Sequence, residues 1–240
     1  MSASAAAAKP VEGSLGQRAA ASIRHPLART LLVLTFTTGL VDAVSYLGLG
    51  HVFTANMTGN IVLLGFGIAG SGGLPVLAPL VSLAAFLVGA GVGGMLAVAL
   101  AERHRRHIAY ALAIEVAMVA AAALLAAAVD VRPSTLAGDT VIALLAFAMG
   151  VRNATVRRVA VPDLTTTVLT MTLTGLAADS VLFGGSGSGS TRRTAAVLAM
   201  LTGAIAGALL LKSSLALPPA VAAALALITV VLYSGRAGAL

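Results

Sequence analysis

Asp42, Asn56, Thr58 and Asn60 stand in GLVDAVSYLGLGHVFTANMTGN, residues 39–60, among apolar neighbours. A second polar stretch, GVRNATVRRVAVPDLTTTVLTMTLTG at 150–175, carries Asn153, Thr166, Thr170 and Thr174. Neutral donors and acceptors gathered on one face can line a route for a small polar solute or ion. Thr166, Thr170 and Thr174 recur every four residues, which puts them on one helix face. A carboxyl inside a membrane is costly when charged and unpaired, and one that exchanges a proton can couple transport to a proton gradient. Tyr46 and His51, beside the first motif, suit a gate or a proton relay. A structural role stays open for each: Asp42 as a hydrogen-bonded tie, Asn and Thr as interhelical glue, Tyr46 and His51 as interfacial anchors.

Other polar residues weigh less. Arg152 is read as snorkelling to the cytoplasmic surface with Arg157 and Arg158, the alternative being a pair with Asp42. Glu115 is a further intramembrane acid in the fourth segment, the alternative being a place near the cytoplasmic boundary; Asp179 is placed at the surface, and His104 and His107 in the solvated run ERHRRH rather than in a metal site. Gly89 with Gly93, and Gly203 with Gly207, are small-residue pairs that let helices approach closely. The run GGSGSGS at 184–190 lacks the ending of a phosphate loop and reads as a linker.

These residues must be positioned by membrane helices. The chain has 240 residues, 59% hydrophobic and 10% charged, with mean hydropathy +1.01. Soluble domains carry about 25% charged residues. Apolar runs such as Val76–Leu100 and Ile108–Val129 exceed the roughly 20 residues that cross a bilayer core. Net charge is +7, from 15 Lys and Arg against 8 Asp and Glu, with the cations clustered between apolar segments. That is the pattern of cytoplasmic loops, and nothing in it calls for nucleic acid. Cysteine is absent, so disulfides, thiolate metal sites and thiol nucleophiles are excluded.

Residues 1–28 read as a disordered cytoplasmic tail rather than a cleaved leader. Eight apolar segments follow, at 31–50, 53–70, 76–100, 108–129, 136–156, 164–183, 194–211 and 217–234. The fold class is all-α, a polytopic transmembrane bundle of two internal repeats, 29–130 and 131–240. Gly39 matches Gly150, an offset of 111 (150 − 39); Thr54 matches Thr166, an offset of 112 (166 − 54); Gly89 matches Gly203, an offset of 114 (203 − 89). If the Thr- and Asn-rich segments 53–70 and 164–183 enter and return on one side, every basic region falls in the cytoplasm. Asp130–Asp139 then falls outside, and the repeats are inverted, as in many secondary transporters.

GLVDAVSYLGLGHVFTANMTGNIVLLG together with GVRNATVRRVAVPDLTTTVLTMTLTGLAADS resembles the YoaK-like bacterial membrane proteins, known as a domain of unknown function. The resemblance covers about 200 residues from Arg29 onward. It implies a multi-pass bacterial inner-membrane protein and supplies no activity or site residues. The residues themselves point to a transporter or channel for a small solute or ion, proton-coupled through Asp42. The alternative is a membrane scaffold or partner-binding subunit. No cofactor or metal is expected, and without an activated nucleophile or convergent His/Asp/Glu motif an enzyme is disfavoured. Expected partners are the bilayer, the solute and, left open, further copies of the chain.

Overall fold

The computed structural model describes residues 26–159, 169–187 and 189–235. Among these, eight α-helices follow in chain order: α1 (Pro26–Gly48), α2 (Met57–Ile68), α3 (Leu77–Ala99), α4 (His104–Ala128), α5 (Leu136–Val159), α6 (Leu169–Ala178), α7 (Ser190–Leu211) and α8 (Leu217–Gly235). A 3-10 turn at Val181–Phe183 completes them, and no strand occurs among the described residues. Helix α1 begins at Pro26, so the last three residues assigned to the tail are helical; proline suits a first turn because the N–H it lacks has no helical partner there.

Five helices, α1, α3, α4, α5 and α7, are long and apolar enough to cross a membrane. Helix α8, with 19 residues, reaches about 28 Å at 1.5 Å per residue. Helix α2 has 12 residues and about 18 Å of length, too short for a core of about 30 Å. In α1 and α5, 67% and 61% of the spanning window is buried, against 22% in α3 and 17% in α7. The first two are therefore the central pillars, and α3 and α7 turn Leu87, Val98, Leu201 and Ile205 outward.

Helix directions follow from glycine contacts. A Cβ at Gly89 of α3 would strike the Phe147 carbonyl, and one at Gly93 would meet Val151 and Ala154, so α3 and α5 run parallel with touching backbones. On the other side Gly203 of α7 faces Phe36, and Gly207 faces Leu40 and Ala43, so α7 runs parallel to α1. Helices α1 and α5 oppose each other: Arg152 bonds Leu34, Thr37 and Thr38, while Gly50 touches Pro133 before α5 begins.

Arg29, Arg103, Arg106, Arg157, Arg158, Arg192 and Arg193 consequently gather at one end of the bundle, and Asp130, Arg132 and Lys212 lie at the other. Between the pillars, Leu40, Val41, Val44, Val141, Ile142 and Leu145 form the core with Val119 of α4 and Ala222 of α8.

Helix α2 does not cross. Its fourth residue, Asn60, touches Ser82 of α3, and its later Gly67 touches Leu74 and Pro75 before α3, so α2 runs back toward the end where α1 finished. Gly50 (φ +99°) and His51 (φ +59°) turn the chain inward there, in left-handed backbone that glycine adopts without strain. Helix α5 ends, and α7 begins, at the cationic end, so the segment containing α6 also leaves and returns on one side.

Candidate functional site: a polar cavity and a buried ion pair

Residues 49–56 are non-helical, yet Leu49, Val52, Thr54 and Ala55 among them are buried in the bundle, where backbone groups need partners from the protein. The polar side chains supply them. Asp42 lies six residues (48 − 42), about 9 Å, short of the end of α1. Its Oδ1 accepts the N–H of Thr54 at 3.0 Å and of Ala55 at 2.8 Å. Asn60 Oδ1 accepts the N–H of Phe53 at 2.9 Å, and its Nδ2 donates to the Phe53 carbonyl at 2.6 Å and to Ser82 Oγ at 3.0 Å. Three consecutive backbone N–H groups are thus held by two side chains, and Asn56 caps α2 by accepting from the Gly59 N–H at 3.3 Å.

Above this anchored turn lies an open cavity of about 470 Å³, lined among others by Tyr46, Phe53, Asn56, Thr58 and Thr170. Tyr46 stacks on Phe53 at 4.8 Å between ring centroids and meets His51 edge-on at 5.1 Å. Of the residues singled out from sequence, the cavity gathers Tyr46, Asn56, Thr58 and Thr170; Thr170 comes from the second half of the chain. Asp42 and Asn60 are buried behind its wall. His51 is exposed, does not line the cavity, and touches its wall at Tyr46. Asn153 is half-buried on α5 and does not line the cavity, and Thr174 is exposed with its hydroxyl donated to the Thr170 carbonyl. Thr166 lies outside the described residues.

The sequence reading of Arg152 is corrected, and for Glu115 the intramembrane reading holds over the boundary one. Arg152 does not snorkel, and Glu115 is not at the boundary: their side chains are 2% and 1% exposed. Arg152 Nε donates to Glu115 Oε2 at 2.9 Å and Nη2 to Glu115 Oε1. Nη1 donates to the Leu34 carbonyl and to Thr38 Oγ1, both at 2.8 Å, and Nη2 to Thr37 Oγ1 at 2.9 Å. All five guanidinium N–H groups are used, which is what lets such a charge stay at this depth. Nor is Asp42 the direct partner of Arg152, although the guanidinium charge reaches it electrostatically. Thr37, Thr38, Phe53 and Ser82 were not foreseen, nor was the pairing of Glu115 with Arg152; the signal for that pair was an acid and a base each isolated within an apolar run. A small cavity of about 30 Å³ adjoins Glu115 and Arg152 and extends past Thr155 to Thr30 and Ile108. Among the described residues no three His, Asp or Glu side chains are grouped to hold a metal ion.

Residues 30–232 match the family model described as "Protein of unknown function (DUF1275)". The UPF0700 transmembrane protein YoaK of Bacillus subtilis (strain 168) is 36% identical over 162 residues, covering 67% of this chain and 68% of that protein. No solved structure matches the chain. With its apolar membrane-length helices and this match along most of its length, the chain belongs to the DUF1275 family and is a transmembrane protein of the YoaK kind.

Proposed function

We propose that the protein is a transporter or channel for a small polar solute or ion, with its pathway through the cavity lined by Tyr46, Asn56, Thr58 and Thr170. One observation carries this reading. Polar stretches from the two halves, more than a hundred residues apart, meet at one open cavity beside the start of a helix too short to cross. The matched packing of Gly89 on Phe147 and Gly203 on Phe36 supports two inverted repeats, an architecture that secondary transporters use around a midplane site. The positive-inside rule puts the cationic end, and with it the N-terminus, in the cytoplasm of a bacterial inner membrane. Proton coupling through Asp42 belongs to the same reading, and no enzymatic chemistry is proposed.

One observation favours the scaffold alternative: Asp42 and Asn60 are spent on backbone N–H groups, as structural ties would be. Proteoliposomes carrying an internal pH dye, challenged with a panel of small solutes and salts, separate the two. Thr58→Val with Thr170→Val, which leaves the anchoring bonds intact, should cut solute-dependent flux about fivefold or more, from about 1 kcal/mol of lost hydrogen bonding. Equal pH responses in wild type, double variant and empty liposomes, together with equal uptake of the radiolabelled solutes, would leave the scaffold.

A further inference from the structure

Among the described residues, two carboxyl groups and one guanidinium lie buried at mid-bundle: Asp42, Glu115 and Arg152. Thr38, which accepts from Arg152, lies one helical turn before Asp42 on α1. Glu115 grips Arg152 through both oxygens. With both acids ionised the group carries a net −1 in a low-dielectric interior, whereas one bound proton makes it neutral.

The other described charged or titratable groups on the surrounding helices lie toward the helix ends. They are Arg29 and Tyr46 on α1, Arg106, His107 and Tyr110 on α4, Asp139, Arg157 and Arg158 on α5, and Arg192 and Arg193 on α7; the described side chains of α8 include none.

We infer that Asp42, Arg152 and Glu115 form one exchangeable-proton site, in which the proton sits on Asp42 while Glu115 holds the arginine. The proton binds Asp42 Oδ2, since Oδ1 is committed to Thr54 and Ala55. A cavity of about 30 Å³ beside Glu115 and Arg152 leads toward the cationic end, so the Arg152–Glu115 part of the site is not sealed by packing on that side. An ionised Asp42 grips two backbone N–H groups about twice as strongly as a neutral one. Binding the proton therefore slackens the turn that walls the larger cavity. This last link rests on the pathway reading; the proton site itself does not.

Infrared difference spectra of the purified protein, recorded across a pH titration, test the site without any solute. Wild type should show a protonated-carboxyl band that titrates and vanishes in Asp42→Asn. In Glu115→Gln, Asp42 becomes the sole counter-ion of Arg152, so the midpoint should move at least about one pH unit toward acid. Glu115→Asp, which keeps the charge, should leave the midpoint in place, and melting curves establish that each variant is folded. A midpoint unmoved by Glu115→Gln, or a wild type whose bands are all unaffected by Asp42→Asn, overturns the inference. Because this readout needs no transport, it can fail while flux is present, and the reverse.

Discussion

At the scale of single residues, polar groups in this chain serve the backbone first. Asn60 makes both main-chain bonds of Phe53 and a third to Ser82, much as a neighbouring strand would. Asn60→Ala strands a buried N–H and weakens the hold on a buried carbonyl, which costs about 2–4 kcal/mol at 1–3 kcal/mol per unsatisfied group. A thermal melt in detergent should show that loss, whereas Thr174→Ala, on an exposed hydroxyl bonded within its own helix, should leave the melt unchanged. Much of this was legible: Asp42 and Asn60 stood out because apolar neighbours make their types expensive. What they bond was not, since composition gives depth and cost but not partners. Arg152 shows the limit most clearly. Its neighbours Arg157 and Arg158 suggested a surface arginine, and only the fold brings Glu115, 37 residues earlier in the chain, to its guanidinium.

Among elements, backbone contact between helices is the organising interaction. Helices α3 and α7 reach the pillars through glycines whose missing Cβ leaves room for a carbonyl, as at Gly203 against Phe36. Gly203→Leu must push α7 off α1 and should destabilise by about 3 kcal/mol or more, at or above the usual cost of overpacking. Gly91→Ala, on a face with nothing within 4 Å, should instead gain up to about 1 kcal/mol of helix propensity. Parallel unfolding titrations of the two variants check the contrast. Hydropathy located every helix within a few residues, and the glycine spacing announced close packing. Which helix each glycine meets was hidden, because small residues advertise an approach without naming the surface approached. The shortness of α2 left a weaker trace, in that only a returning segment keeps the basic loops together.

For the whole molecule, the absence of cysteine makes topology measurable. Single cysteines at Ser71 and Ser134 should react with a membrane-impermeant thiol reagent from one side, and cysteines at Ala101 and Ser186 from the other. Ser71 is the decisive position: a full crossing by α2 would place it on the side where α1 begins, with a cysteine at Arg29. Accessibility in sealed vesicles of known orientation also reports whether the arginine-rich end faces the cytoplasm.

The exchange of partners between halves has a consequence in time. Helix α1 is paired with α7 and α3 with α5, so neither pillar finds its glycine-bearing companion nearby in the chain. From the end of α1 to the start of α7 the ribosome adds 142 residues (190 − 48), which at about 5–20 residues per second takes roughly 7–30 seconds. During that interval α1 lies in lipid with the Gly39 face bare, and until residue 152 is made the Thr37 and Thr38 hydroxyls await their arginine. Assembly is therefore delayed until the second half arrives, and the nascent first half is a natural client for whatever shelters unfinished membrane helices.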